Sequence, residues 1–394
     1  MKKRPGNFVL ILILGALATI SPFSIDMYLP GFPGIARALD TSIDKVQLSL
    51  TSYFVGIAVG QLLYGPLLDR FGRRRPLYLG LFIYVCASVL CALSTSVETL
   101  IVFRLLQALG GCVGMVASQA LVRDVFPVNK TAQVFSLITL VIAVSPMIAP
   151  TVGGVVTAHV GWQWVFIILA SITALIGVAS YYLLPIGKGA NPSLSLKPRA
   201  VTANFLQVAT HPQFLVYGLA GGLAMAAPFA YIAGSPDVFM NIYGLTEQQY
   251  GWVFALLAGA LIGSTQFTHL LLRRWKSESI IRFALIFQGV VGLLLVGGTL
   301  YGGWGLYGLI ILLLLFLSGQ GLIGPNATSL SLAPFEHHAG SASALLGSWR
   351  MAAGAIMSAV VSFFHDETAM PMVGVMAACA WISLLILLIG RRIY

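Results

Sequence analysis

Apolar residues run through this chain in blocks of about 20, broken by short polar segments. The blocks are Phe8–Leu29, Val46–Leu68, Leu77–Leu93, Thr99–Leu121, Ala132–Val156, Trp164–Leu184, Phe214–Ser235, Tyr250–Leu272, Ile280–Leu300, Leu306–Pro325, Ala339–Phe363 and Met372–Ile389. Hydrophobic residues are continuous within them, not alternating over ten-residue stretches, so they predict helices and not barrel strands. About 20 residues rising roughly 1.5 Å each cross the hydrocarbon of a bilayer. There every backbone polar group needs an internal partner, and a helix supplies it. The pattern predicts an all-α integral membrane protein with twelve transmembrane helices.

Composition strengthens this reading. The 394 residues are 58% hydrophobic and 9% charged, with mean hydropathy +0.92. A soluble domain carries roughly 25% charged residues, so this chain cannot cover a water-facing surface. Met1–Thr19 resembles a signal peptide, with Lys2, Lys3 and Arg4 before an apolar stretch and Ala16-Leu17-Ala18. The apolar run continues to about Leu29, long enough to span, so an uncleaved first span is expected. Cys86, Cys91, Cys112 and Cys379 all lie inside apolar runs with no CxxC pair, which predicts small buried residues.

Charge tests the count. With twelve spans and a cytoplasmic start, 18 of the 22 basic residues fall on the cytoplasmic side, while the opposite side holds Arg37 and Lys45. One missed or invented span would scramble this bias, which follows the positive-inside rule. Both termini are therefore expected in the cytoplasm. The net charge of +10 is topological and does not call for nucleic acid. The Pro-, Ser- and Lys-rich stretch Pro185–Pro212 separates six spans from six. Residues 1–185 form the expected N-terminal half, 186–212 a cytoplasmic linker and 213–394 the C-terminal half. A faint repeat relates them: Pro22-Phe23 and Pro30 in span 1 match Pro228-Phe229 and Pro236 in span 7, and Gln61 matches Gln266 at nearly the same offset. Two six-span halves are a common transporter architecture.

Three charges remain inside spans: Asp26, Arg104 and Arg350. Each costs roughly 2.5–3.5 kcal/mol on insertion scales, and such residues normally face a bundle interior or a wet cavity. Helix rise puts Asp26 and Arg104 in the outer half at comparable depth, where an ion pair or a shared water network would fit. Arg350 falls near the middle of span 11. Asp26 is the one acid placed to titrate within the membrane; burial disfavours its charge and a nearby arginine favours it. Gln107 shares the face of Arg104, and Pro22 and Phe23 share that of Asp26. With Pro146 these residues are the expected cavity lining.

Between spans 2 and 3 stand Gly65-Pro66-Leu67-Leu68-Asp69-Arg70-Phe71-Gly72-Arg73-Arg74-Arg75. Gly65 should permit close helix approach, Asp69 should cap or pair at the next helix start, and Gly72 should allow a tight turn. Span 5 holds Ser145-Pro146-Met147-Ile148-Ala149-Pro150-Thr151-Val152-Gly153-Gly154. Pro146 and Pro150 cut backbone bonds on one face and Gly153 and Gly154 admit a close neighbour, so a bend or pivot is expected. No phosphate loop GxxxxGK[ST], zinc pair HExxH or elbow GxSxG occurs. His337 and His338 are adjacent, poor geometry for a shared metal. An ATP-driven pump or membrane enzyme is therefore not expected, nor any metal or cofactor.

These residues resemble the major facilitator superfamily. The loop matches its G-x-x-x-D-R-x-G-R-R signature, and Arg104-Leu105-Leu106-Gln107-Ala108-Leu109-Gly110-Gly111 looks like its span-4 R-x-x-Q-x-x-G motif. Span 5 is similar to the G-P-x-x-G-G antiporter motif, with Ala149 in place of the first glycine. Ser24-Ile25-Asp26-Met27-Tyr28-Leu29-Pro30 and His338-Ala339-Gly340-Ser341-Ala342-Ser343 look like the Bcr/CflA branch of bicyclomycin and chloramphenicol carriers. The resemblance implies a drug:proton antiporter with Asp26 and Arg104 in proton coupling, and Asp69, Arg70 and Arg73 in a cytoplasmic gate latch. It also implies cargo such as bicyclomycin, phenicols, sulfonamides or cysteine.

The functional expectation is a proton-gradient-driven exporter of amphiphilic small molecules, a monomer in a bacterial inner membrane. It would work by alternating access, with a gate between spans 2 and 11 and an outer gate set by the Asp26–Arg104 contact. The competing reading is a proton- or sodium-linked nutrient importer. The aliphatic and aromatic character of the spans favours amphiphilic cargo over the first alternative's sugar or carboxylate groups.

Overall fold

The computed structural model describes residues 6–185, 187, 189, 205–302, 304–335 and 339–390. Lys2, Lys3, Arg4, Lys188, Lys197, Arg199, His337, His338, Arg391, Arg392 and most of the 186–212 linker lie outside the described residues.

Twelve helices among the described residues are long and apolar enough to cross a membrane. They are Asn7–Ala38, Ile43–Phe71, Arg74–Ala92, Val97–Val125, Gln133–Val160, Gln163–Leu183, Pro212–Ile242, Glu247–Thr268, Ser277–Tyr301, Gly305–Leu332, Ser341–Phe363 and Met370–Gly390. We call these spans 1 to 12. Most run several residues past the apolar blocks of the sequence, because a helix carries its hydrogen bonds on into polar surroundings until a cap stops it. Span 4 starts at a capping box in which Ser96 Oγ accepts from Thr99 N. Span 8 starts the same way, with Thr246 Oγ1 accepting from Gln249 N.

Spans 1 and 7 are broken. The α-helix of span 1 ends at Asp26, turns through Leu29–Gly31 and resumes at Phe32. Pro30 has no N–H for the Asp26 carbonyl, and so cannot continue the helix. Span 7 pauses between Ala224 and Ala227, where Pro228 likewise offers no N–H to the Ala224 carbonyl. Span 7 then closes on a π-helical turn, Asp237–Ile242.

Spans 1 to 6 pack among themselves, as do spans 7 to 12, and the two groups meet along span 2 against span 11 and span 5 against span 8. The first seam carries Thr51 Oγ1 to Ser358 Oγ at 2.8 Å and Ser348 Oγ donating to the Ala58 carbonyl at 2.9 Å. Two faces follow from the helix order. One carries the arginine-rich loop after span 2 and is called the basic face; the other, which holds Arg37 and Lys45 as its basic residues and is otherwise acidic, is called the charge-poor face for its lack of cations. Near the charge-poor face Ser362 Oγ donates to the Asp44 carbonyl at 2.6 Å, and a Cβ on Gly154 would lie 2.5 Å from the Glu247 carbonyl oxygen. The halves are closed on each other there. Large exposed apolar side chains, among them Leu79, Phe82, Leu175, Phe267 and Ile311, clothe the outside of the bundle as lipid contact requires.

Candidate functional site

The break in span 1 organises the first half. A helix that ends at Asp26 leaves carbonyls without intrahelical donors. Arg104, on span 4 and with no exposed surface, answers one: its Nη2 donates to the Ser24 carbonyl at 3.0 Å. A cation at a helix C-terminus also meets the negative end of the dipole. Nη1 donates to Gln107 Oε1 at 2.5 Å, Gln107 Nε2 to Ser88 Oγ at 2.7 Å, and Ser88 Oγ to the Tyr84 carbonyl at 2.7 Å. The Tyr84 hydroxyl closes the loop on Ser24 Oγ. The guanidinium carbon lies 4.1 Å from the Tyr28 ring centroid and 4.0 Å from that of Tyr53, within cation–π range. Spans 1, 2, 3 and 4 are thus fastened through one buried cation.

This arrangement corrects the expected pairing of the two intramembrane charges. Arg104 reaches the depth of Asp26, as helix rise requires, yet among the described residues it makes no ion pair with it. Its Nη donors are committed to Ser24 and Gln107 inside the first half, while its buried Nε has no partner. Arg104 and Gln107 are both fully buried, and their hydrogen bonds run to Ser24, Ser88 and each other within the first half. Helix rise fixes depth along a span but not the direction a side chain takes around it.

Asp26 points the other way. It is 3% exposed and has no hydrogen-bond or ion-pair partner among the described residues. It faces Tyr231 and Tyr250 of the second half. Tyr250 Oη lies 2.9 Å from Ser235 Oγ, whereas the buried Tyr231 hydroxyl has no partner. Pro22 and Phe23 are half-buried on the same stripe of span 1, and Pro146 of span 5 is half-buried too. Also on the seam, Phe54 and Phe229 meet edge to face across the halves at 4.7 Å. The geometry therefore brings together one acid, aromatic rings and a lone hydroxyl at the seam. Arg350 of span 11 is half-buried and donates through Nη2 to Thr328 Oγ1 at 2.6 Å, while its Nε has no partner.

The second half mends its own break without a charge. Gln320 Nε2 donates to the Ala224 carbonyl at 2.8 Å, and Gln288 Nε2 donates to Gln320 Oε1 at 2.8 Å. Sequence reading passed over both glutamines, since a neutral amide in an apolar run gives no hydropathy signal. It also passed over Tyr231, Tyr250 and Asp237. The paired Pro-Phe of spans 1 and 7 was the available signal, because it places Tyr231 opposite Ile25.

At the basic face, Gly72 has φ 78°, the left-handed region that the expected tight turn needs. Arg73 bonds Asp69 at 2.5 Å through Nη1 and Asp124 at 2.8 Å through Nε. Both partners sit in the first half; Asp124, at the end of span 4, was not foreseen. Burial of Arg73 opposes its charge, and the hydrogen bonds it donates to the two acids outweigh that and raise its pKa. Close helix approach at Gly65 is not found: a Cβ there would meet nothing within 4 Å. The span-5 helix runs unbroken through Pro146 and Pro150. Gly153 and Gly154 serve as contact points, where a Cβ would strike the Met27 and Glu247 carbonyls respectively.

Comparison with known proteins gives a consistent picture. The model of the Major Facilitator Superfamily matches residues 14–358. A bicyclomycin resistance protein homolog of Haemophilus influenzae is 31% identical over 385 residues, covering 98% of this chain and 96% of that one. A chloramphenicol resistance protein of Pseudomonas aeruginosa is 29% identical over 374 residues, covering 92% and 86%. The crystal structure of a D-xylose–proton symporter superposes with a TM-score of 0.77 at 13% identity, covering 96% of this chain and 97% of that one; at that identity it speaks for the fold alone.

Proposed function

The chain belongs to the major facilitator superfamily, and from that premise we propose that it exports small amphiphilic molecules in exchange for protons. That it is a multi-pass membrane transporter and not an enzyme follows from the family and its relatives. Relatives named for bicyclomycin, chloramphenicol and multidrug resistance support drug-like cargo and outward direction. The proposed seat is a bacterial inner membrane with the basic face in the cytoplasm, following the positive-inside rule, and the proposed unit is a monomer.

The observation that carries the proton step is Asp26: a carboxyl at the seam between the halves, closed from solvent and without a partner. A dry site favours the neutral form of a carboxyl and water the ionised form. A carboxyl sealed in one conformation and wetted in the other takes a proton on one side and leaves it on the other. Phe54, Phe229 and Phe23 offer apolar surface for cargo beside it. Arg104 then serves by holding the broken end of span 1, so that Asp26 is presented to the seam. In this reading Pro146, Pro150, Gly153 and Gly154 guide the rocking of span 5 against spans 1 and 8, and the Asp69–Arg73–Asp124 cluster steadies the basic-face gate.

The test uses purified protein in liposomes with an imposed pH gradient and a labelled phenicol. Expulsion of the drug down to background in Asp26→Asn, with the variant inserted and folded, is the expected contrast to active wild type. Undiminished gradient-driven export by that variant sinks the proposal. Gradient-driven accumulation by wild type on the side of the basic face would favour the importer instead.

A further inference from the structure

Span 7 ends in a π-helical turn that begins at Asp237, a geometry often found at functional sites. The Asp237 side chain is 9% exposed. One carboxylate oxygen, Oδ1, accepts from Asn241 Nδ2 at 2.8 Å, and the other lies 3.6 Å from Nδ1 of His365. The His365 ring is 32% exposed, so protons from the charge-poor side reach it.

His365 is held in place by a fixed turn after span 11. Its N–H donates to the Ser362 carbonyl at 3.3 Å, and Asp366 Oδ1 accepts from Thr368 N at 2.9 Å and Thr368 Oγ1 at 2.7 Å. The same Ser362 donates through Oγ to the Asp44 carbonyl of the first half. The turn that carries the imidazole therefore also carries a contact that closes the two halves.

The charges around this point are unbalanced. Asp44 and Asp366 both lie within reach of Asp237, and His365 opposes them when its ring is protonated. Other charged groups stand on the elements packed here. Arg37 on the foot of span 1 and Lys45 on span 2 are exposed, and Lys45 acts on Glu98 of span 4. Glu247 opens span 8, and Tyr250 behind it bonds Ser235. Glu367 is exposed in the turn itself. Closing this face thus brings Asp44 and Asp366 toward the Asp237–His365 pair.

We infer that His365 and Asp237 form a second proton-responsive site, which fastens the charge-poor face shut when His365 carries a proton. An imidazolium binds Asp237 and offsets Asp44 and Asp366. A neutral imidazole leaves three carboxylates facing one another, and their repulsion parts Asp44 from the second half. Histidine changes charge in the physiological pH range, so acid on the charge-poor side favours closure there. The inference concerns a different group from Asp26 and stands without it.

The experiment measures the distance across the charge-poor face by spin labels at Ala38→Cys and Gln248→Cys, both exposed positions. The four native cysteines are replaced by serine, and the full chain sits in lipid nanodiscs without substrate. Between about pH 8 and about pH 5.5 the closed-to-open ratio is expected to rise by up to about tenfold per pH unit, the slope for one proton. His365→Gln should be open-shifted and pH-flat, and His365→Arg closed and pH-flat. Asp44→Asn should be closed-shifted at high pH, and Asp26→Asn should keep the wild-type slope. A full slope in His365→Gln overturns the inference, as does a slope that vanishes in Asp26→Asn; should His365→Gln not fold, a full slope in Asp237→Asn decides the matter equally. Loss of transport in Asp26→Asn with this slope intact separates the two sites.

Discussion

Asp26 and Arg104 lie at one depth and carry opposite charges, yet they do not pair, and a double-mutant cycle measures this directly. Arg104→Met removes a fully buried guanidinium that donates to Ser24 O and Gln107 Oε1 and stacks between Tyr28 and Tyr53. Each charged hydrogen bond is worth about 1.5–3 kcal/mol, and the ring contacts add about 2 kcal/mol when desolvated. Relief of the buried charge offsets part of the loss, so a net destabilisation of about 3–5 kcal/mol is expected. Asp26→Asn changes a side chain that has no partner, so stability should move by about 1 kcal/mol or less. Because the two share no partner, their coupling energy should lie within about 0.5 kcal/mol of zero, while the Arg104/Gln107 cycle should give about 1–3 kcal/mol. The assay is reversible unfolding in mixed detergent micelles, followed by tryptophan fluorescence. An Arg104/Asp26 coupling above about 1.5 kcal/mol would refute the geometry and restore the ion pair.

Other expectations follow from burial and contact. Asp124→Asn should cost about 3 kcal/mol and Asp69→Asn under about 1 kcal/mol in the same assay, since the Asp124 side chain is 2% exposed and that of Asp69 54%. Gly153→Ala should drive a methyl into the Met27 carbonyl. The expected result is a longer Ala38–Gln248 label distance and slower transport, with Gly65→Ala unchanged in both. Gln320→Leu leaves the Ala224 carbonyl of span 7 without its donor; a loss of about 1–3 kcal/mol is expected in the unfolding assay.

Much of the fold was legible along the chain. Twelve apolar runs, alternation of basic loops and a polar linker suffice for the helix count, because a bilayer imposes its thickness and its charge rule on each span separately. The turn at Gly72 was legible for a similarly local reason: glycine followed by arginines leaves few other backbone choices. Asp124 and the glutamine pair Gln288–Gln320 were not, since their partners lie far along the chain.

What the sequence determined by itself was therefore the solvent: which segments must be helical in lipid, and which residues are too costly to sit there without a task. Asp26 and Arg104 were both found on that ground. Only the tertiary structure decided what those tasks are. Rotation of each span about its axis, set by packing against its neighbours, turns Arg104 inward to hold the broken end of span 1 and turns Asp26 outward to the seam. It likewise carries Asp237, which the apolar run had left outside span 7, under His365 from a turn more than a hundred residues away. A hydropathy pattern records how deep a residue lies, but the partner it faces is fixed by contacts between spans.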